Sequence, residues 1–127
     1  MSPNKETVHR YMDGFNRSDH DLILSCLADD VEWIMPGFFD LSGKAAFDRE
    51  IENDAFVGSP TIKGKRMVEE DGVVIAEGAV TCKRRDGGYF NALFCDVFEM
   101  ENFKIRRLTS CQSNLQDQAS SDSGKSA

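Results

Sequence analysis

Tyr89-Phe-Asn-Ala-Leu-Phe-Cys-Asp-Val-Phe-Glu-Met100 is the most strand-like run in the chain. With a period of two, Phe90, Ala92, Phe94, Asp96, Phe98 and Met100 share one face. The other face is also apolar, through Leu93, Cys95 and Val97. A strand apolar on both faces needs cover on both sides, so a homodimer packed through the sheet face is expected. Asp96 is the exception on the first face. A lone carboxylate among three phenylalanines is costly if ionised and unpaired, because desolvation penalises the charged form. It either finds a partner or stays protonated near neutrality. A protonated acid in an apolar pocket is a hydrogen-bond donor of catalytic use, and a structural acid bonded to a backbone amide or an arginine is the plainer alternative.

Outward from this strand, the chain divides into helices first and strands last. Ser2 before Pro3 is a start signal, and Val8, Tyr11, Met12 and Phe15 follow at helical spacing. Ser18, with Asp21 three residues on, suggests a second helix burying Leu22, Ile23, Cys26 and Leu27 and closed by Asp29-Asp30. Val31 to Met35 alternates as a strand with Val31, Trp33 and Met35 inward, and Pro36-Gly37 stops it. Ser42-Gly43 introduces a third helix over about Lys44 to Asn53, packing through Phe47 and Ile51, and Ala55 to Pro60 is a loop. Four strands follow as an antiparallel meander over Thr61–Glu69, Val73–Lys83, Tyr89–Met100 and Phe103–Cys111. Asp71-Gly72, Asp86-Gly87-Gly88 and Glu101-Asn102 are the turns. This order predicts an α+β domain over residues 1–112: three N-terminal helices packed into a curved, mostly antiparallel sheet, forming a conical barrel with one pocket. Residues 113–127, rich in Ser, Gln and Asp, are expected to be a disordered tail.

Composition excludes several classes of partner. The 127 residues suffice for one domain, and 40% hydrophobic with 29% charged residues is ordinary for a globular protein. A net charge of -7 argues against nucleic acid and anionic membrane. The basic runs at Lys63–Arg66, Lys83–Arg85 and Lys104–Arg107 fall at strand edges and hairpin ends, where charge discourages edge pairing. Cys26, Cys82, Cys95 and Cys111 form no C-x-x-C, and most lie in apolar stretches. Buried thiols in a reducing compartment are the expectation. With no long apolar span and no export leader, that compartment is taken as the cytoplasm. No G-x-G-x-x-G or phosphate loop is present, so no cofactor is expected. His9 and His20 have no ligand spacing and are expected to be solvated, with no metal site.

Three stretches carry a family resemblance over about residues 5 to 112. They are Val8-His-Arg-Tyr-Met-Asp-Gly-Phe-Asn-Arg-Ser-Asp19, Leu27-Ala-Asp-Asp-Val-Glu-Trp-Ile-Met-Pro-Gly37, and Asp96-Val-Phe-Glu-Met100 with Lys104-Ile105 after it. The chain resembles the nuclear-transport-factor-2-like superfamily, in the branch of ketosteroid isomerase and the SnoaL-like polyketide cyclases. The resemblance implies a cone with a hydrophobic pocket and a cofactor-independent isomerase, cyclase or lyase. In the isomerase, a helix-one tyrosine and a protonated strand aspartate form the oxyanion hole. These roles fall on Tyr11 and Asp96, and SnoaL-like cyclases also carry an acid at the strand position. The isomerase's general base, an aspartate before a proline, falls on Met35 ahead of Pro36. A thioether is no base near neutral pH, which leaves Asp40 as a substitute if it reaches the mouth. The acids of related epoxide hydrolases have no match on the last strand, Phe103 to Cys111.

The resulting expectation is a pocket lined by Tyr11, Phe15, Trp33, Met35, Phe47, Phe94, Asp96 and Phe98, holding a small hydrophobic molecule. Tyr11 and Asp96 either donate hydrogen bonds to an enolate oxygen or act with Asp96 as acid/base. Glu77 is expected in a rim salt bridge with Arg66 or Arg107. The alternative function is a non-catalytic ligand-binding, dimerisation or association module.

Overall fold

Ser2 caps the first helix as its place before Pro3 dictates. In the computed structural model, which describes residues 1–115, its hydroxyl accepts from the Lys5 amide at 3.1 Å and α1 runs Pro3–Asn16. Val8, Tyr11 and Met12 are buried and Phe15 packs against the core. The second helix, α2 (His20–Ser25), is capped by Asp19, not Ser18: the Asp19 carboxylate accepts from Leu22 N at 3.0 Å. Ser18 has φ 49°, a left-handed link unlike the extended backbone an N-cap requires.

The first strand, β1 (Leu27–Met35), begins earlier than the alternation suggests. Asp29 and Asp30 do not end a helix; they sit exposed where the β1 register shifts between Leu27 and Glu32. Pro36-Gly37 does stop the strand, as expected, but a further strand follows it. It turns β1 into a short second strand, β2 (Phe39–Ser42), with Phe38 N bonded to Met35 O at 2.9 Å and Trp33 opposite Leu41. α3 spans Lys44–Ile51 and stops there because Glu52 is already extended. β3 (Phe56–Glu70) absorbs most of the segment expected as a loop. As an edge strand it tolerates Gly58 and Pro60, with a register shift between Val57 and Thr61. β4 (Val73–Arg84), β5 (Tyr89–Glu101) and β6 (Lys104–Asn114) complete the sheet.

The sheet order is β2-β1-β6-β5-β4-β3, and every pairing is antiparallel except β1 with β6. This is a mixed, open sheet with edges at β2 and β3, not the conical barrel expected. β6 continues through Asn114, so Ser113 and Asn114 pair with Leu93 and Ala92; the expected tail from residue 116 on lies outside the described residues. The fully buried centre includes Val8, Ile23, Leu27, Phe47, Phe98, Ile105 and Leu108. Gly78 on β4 makes one close approach possible. A Cβ there would lie 2.2 Å from Lys63 O and 2.9 Å from the Phe94 ring, so only glycine lets Phe94 lie flat against the sheet.

One expectation about exposure changes here. Alternation turns Cys95 and Cys111 outward, and both are exposed, while Cys26 is buried and Cys82 half-buried. Glu77 is also on the outer face and pairs with Arg66 at 3.1 Å, as expected. No helix among the described residues is long and apolar enough to cross a membrane.

Candidate active site

The period-two alternation of β5 delivers Asp96 to the inner face, with Ala76 of β4 on one side and Ser110 of β6 on the other. Its Oδ1 is buried without a hydrogen-bond partner. Burial therefore dominates and pushes its pKa from 3.8 up to about 7, against the opposing pull of the Ser110 hydroxyl and the Cys111 amide. Near neutral pH the group exists in both forms and can give or take a proton.

Tyr11 reaches the same region from α1. Its ring meets Phe15, Phe98 and Phe47 edge-on, at centroid distances of 5.0, 5.4 and 6.1 Å. Burial first, then the negative charges of Asp96 and Cys26, hold its pKa well above the usual tyrosine range. The phenol thus stays a neutral donor, and its link to Asp96 places the two groups in one electrostatic neighbourhood. Trp33 of β1 stacks on Phe47 at 4.3 Å and meets Phe39 edge-on at 5.1 Å. Its indole Nε1 donates to Ser110 Oγ at 3.0 Å.

A cavity of about 890 Å³ opens in front of these groups, between α1, β1, the α3–β3 connection and the inner sheet face. Tyr11, Phe15, Trp33, Met35, Phe94 and Asp96 line it, as the sequence predicts. Phe47 and Phe98 do not. They are 1% and 0% exposed and form the packed floor behind the wall. Asp40 is not brought there either: β2 points Phe39 inward and Asp40 outward beside Glu32. Partial desolvation and the Glu32 carboxylate raise the Asp40 pKa, a property of the outer surface and not of the cavity. Met35 does occupy the wall, so no ionisable group stands at the end of β1. Ser110, Phe90, Phe56 and Ile62 are among the further lining residues, and were missed from sequence. For Ser110 a signal existed: it lies two residues beyond buried Leu108 on the same strand face.

The pocket is not alone. A smaller cavity of about 340 Å³ lies between α1 and β3, lined by His9, Asp13, Lys65 and Arg66 among others. His20 is also not simply solvated. Its Nδ1 meets Asp48 Oδ1 at 2.6 Å and its Nε2 meets Glu52 Oε2 at 2.5 Å, joining α2 to α3 and the residue beyond it. Asp48 and then Glu52 raise its pKa, so both ring nitrogens donate in the protonated form. Among the described residues no group of three or more His, Cys, Asp or Glu is placed to hold a metal.

Comparison with known proteins identifies the family and the fold. The SnoaL-like domain family profile matches residues 8–108. No curated protein sequence matches the chain. Among solved structures, TerC co-crystallized with polyporic acid is 21% identical with a TM-score of 0.78, covering 99% of this chain and 100% of its own. A protein provisionally assigned as a polyketide cyclase from Xanthomonas campestris pv. campestris is 23% identical, with a TM-score of 0.79 over 86% of this chain and 89% of its own. An LEH-like epoxide hydrolase of M. tuberculosis is 16% identical, with a TM-score of 0.78 over 87% and 83%. At these identities the structures share the fold with this chain, a nuclear-transport-factor-2-like fold that hosts several chemistries.

Proposed function

The chain belongs to the SnoaL-like domain family, and from that footing we propose that it binds a small hydrophobic carbonyl compound in its larger cavity and enolises it without a cofactor, as an isomerase or cyclase-type enzyme. The observation that carries this is the buried, unpartnered Oδ1 of Asp96 on the cavity wall. A pKa of about 7 suits a group that must both take and return a proton at neutral pH. As the carboxylate, Asp96 removes a proton from the carbon next to the carbonyl. Tyr11, kept neutral by burial, donates to the oxygen as negative charge develops there. The protonated Asp96 then returns the proton at the same or a conjugated carbon, restoring its charge. With Met35 at the end of β1, one acid serves as both base and acid.

The test needs no identified substrate. Enolisable aryl ketones are incubated in D₂O, and α-proton exchange is followed by NMR. Exchange above the buffer rate is expected from the native protein, falling about 100-fold or more in Asp96→Asn. Tyr11→Phe should slow it less. If the ketones bind but exchange no faster than in buffer, the non-catalytic binding module is the correct reading. The methionine at the position of the isomerase base favours that second reading.

For quaternary structure, we propose a homodimer through the outer sheet face. Val68, Ile75 and Leu93 are exposed there at 48%, 38% and 52%. The four free cysteines support the cytoplasm as its place.

A further inference from the structure

Charge is distributed unevenly around the larger cavity. Among the described residues that line it there is no lysine or arginine, and its ionisable carboxylates are Asp96, Glu50 and Glu52. Asp96 lies at the buried end, while Glu52 is exposed and Glu50 half-exposed around the end of α3. Two basic side chains nearby are directed elsewhere: Arg85 Nε donates to the Asp54 carbonyl at 2.8 Å and Arg17 pairs with Asp13 at 2.9 Å. Glu52 is already engaged by His20. That leaves Glu50 as the carboxylate an incoming charged group meets. Between the two ends the walls are aromatic, with Trp33, Phe90 and Phe94 offering ring faces and edges.

The geometry points to a ligand of one charge class: a flat aromatic molecule carrying a protonated amine at its outer end, paired with Glu50, and to rejection of carboxylates. This rests on the cavity being the ligand site and names what enters it. An aromatic wall with an acidic rim attracts cations through ring quadrupoles and Coulomb interaction together. A carboxylate finds no basic partner on the lining and is repelled at the rim.

Trp33 is the single tryptophan and lies on the wall, so its emission reports occupancy. Three probes share one scaffold: biphenyl-4-methylamine, biphenyl-4-methanol and biphenyl-4-carboxylate, titrated at neutral pH with excitation at the red edge of the indole band. An exposed ion pair is worth up to about fivefold, so amine and carboxylate, on either side of the alcohol, should differ by about tenfold. Glu50→Gln should bring the amine down to the alcohol without loss of fold by circular dichroism. Equal affinities for the three, a preference for the carboxylate, or an unchanged amine preference in Glu50→Gln would each overturn the charge assignment and leave the cavity as the binding site. Absence of binding by all three would overturn the cavity reading along with it.

Discussion

With its pKa pushed from 3.8 to about 7, Asp96 holds a proton more tightly in the folded chain than in the unfolded one. Its contribution to stability is therefore full below the unfolded value and is lost as pH rises through about 7. The loss amounts to about 4 kcal/mol at most, taking 1.36 kcal/mol per pKa unit. Urea unfolding of the native protein and Asp96→Asn across pH 4 to 8 should show this fall in the native chain and its absence in the variant; parallel curves would refute the shifted acid. Ser110 makes a second case. Its hydroxyl accepts from the Trp33 indole and pulls the Asp96 pKa downward. Ser110→Ala should leave the indole unpaired, destabilising the fold by about 1–3 kcal/mol. It should also raise the Asp96 pKa further, as followed by carboxyl-carbon NMR. A stability loss with no movement of the Asp96 signal would mean the two side chains do not communicate. Asp96 itself was legible in sequence because a carboxylate within an apolar alternation is conspicuous. For Ser110 the alternation gave only the face; its role stayed hidden until the facing strand supplied Asp96 and β1 supplied Trp33.

Elements were legible where alternation or helical spacing is strong and blurred where local signals compete. Pro36-Gly37 and Gly58-Ser59-Pro60 look like breaks, yet one is a hairpin turn and the other lies inside an edge strand. The second has a plain cause: an edge strand needs only one side of its backbone paired, so it accepts residues a central strand rejects. The β5–β6 hairpin also moved by a residue. Its left-handed pair is Asn102 and Phe103, at φ 51° and 60°. Phe103 is 60% exposed, so its side chain gains little from burial while its backbone is strained. A left-handed backbone costs a non-glycine residue about 1–2 kcal/mol, and Asn-Gly is the favoured pair for such a turn. Phe103→Gly should therefore raise the urea midpoint, by about 1 kcal/mol in stability. The Thr7 bond to the Phe103 carbonyl is a backbone contact and survives the change. A lower midpoint would mean the exposed ring packs usefully after all.

At the scale of the whole molecule, the proposed dimer rests on the outer sheet face. Val68, Ile75 and Val97 lie in register across β3, β4 and β5, next to Leu93 and the outward Cys95 and Cys111. If this face closes on a second copy, Leu93→Arg should halve the mass measured by light scattering. Cys95 and Cys111, slow toward a thiol reagent in the dimer, should react rapidly in the variant while Cys26 stays protected in both. A native protein already at monomer mass would remove the sheet dimer. The sequence by itself determined the helical faces, the inner and outer sides of β5, and Asp96 as the misfit acid. Those are consequences of chain periodicity, which is local and needs no knowledge of neighbours. Only the tertiary structure decided that β1 lies parallel to β6, that the sheet stays open, and that Asp40 faces away from the cavity. It alone buried Phe47 and Phe98 behind the wall, set Ser110 between Asp96 and Trp33, and bound His20 to Asp48 and Glu52. These depend on which strand edge meets which and on what stands across the space between elements. A side chain's pKa and its access to a ligand are set by that surrounding space, which residues distant in the chain supply.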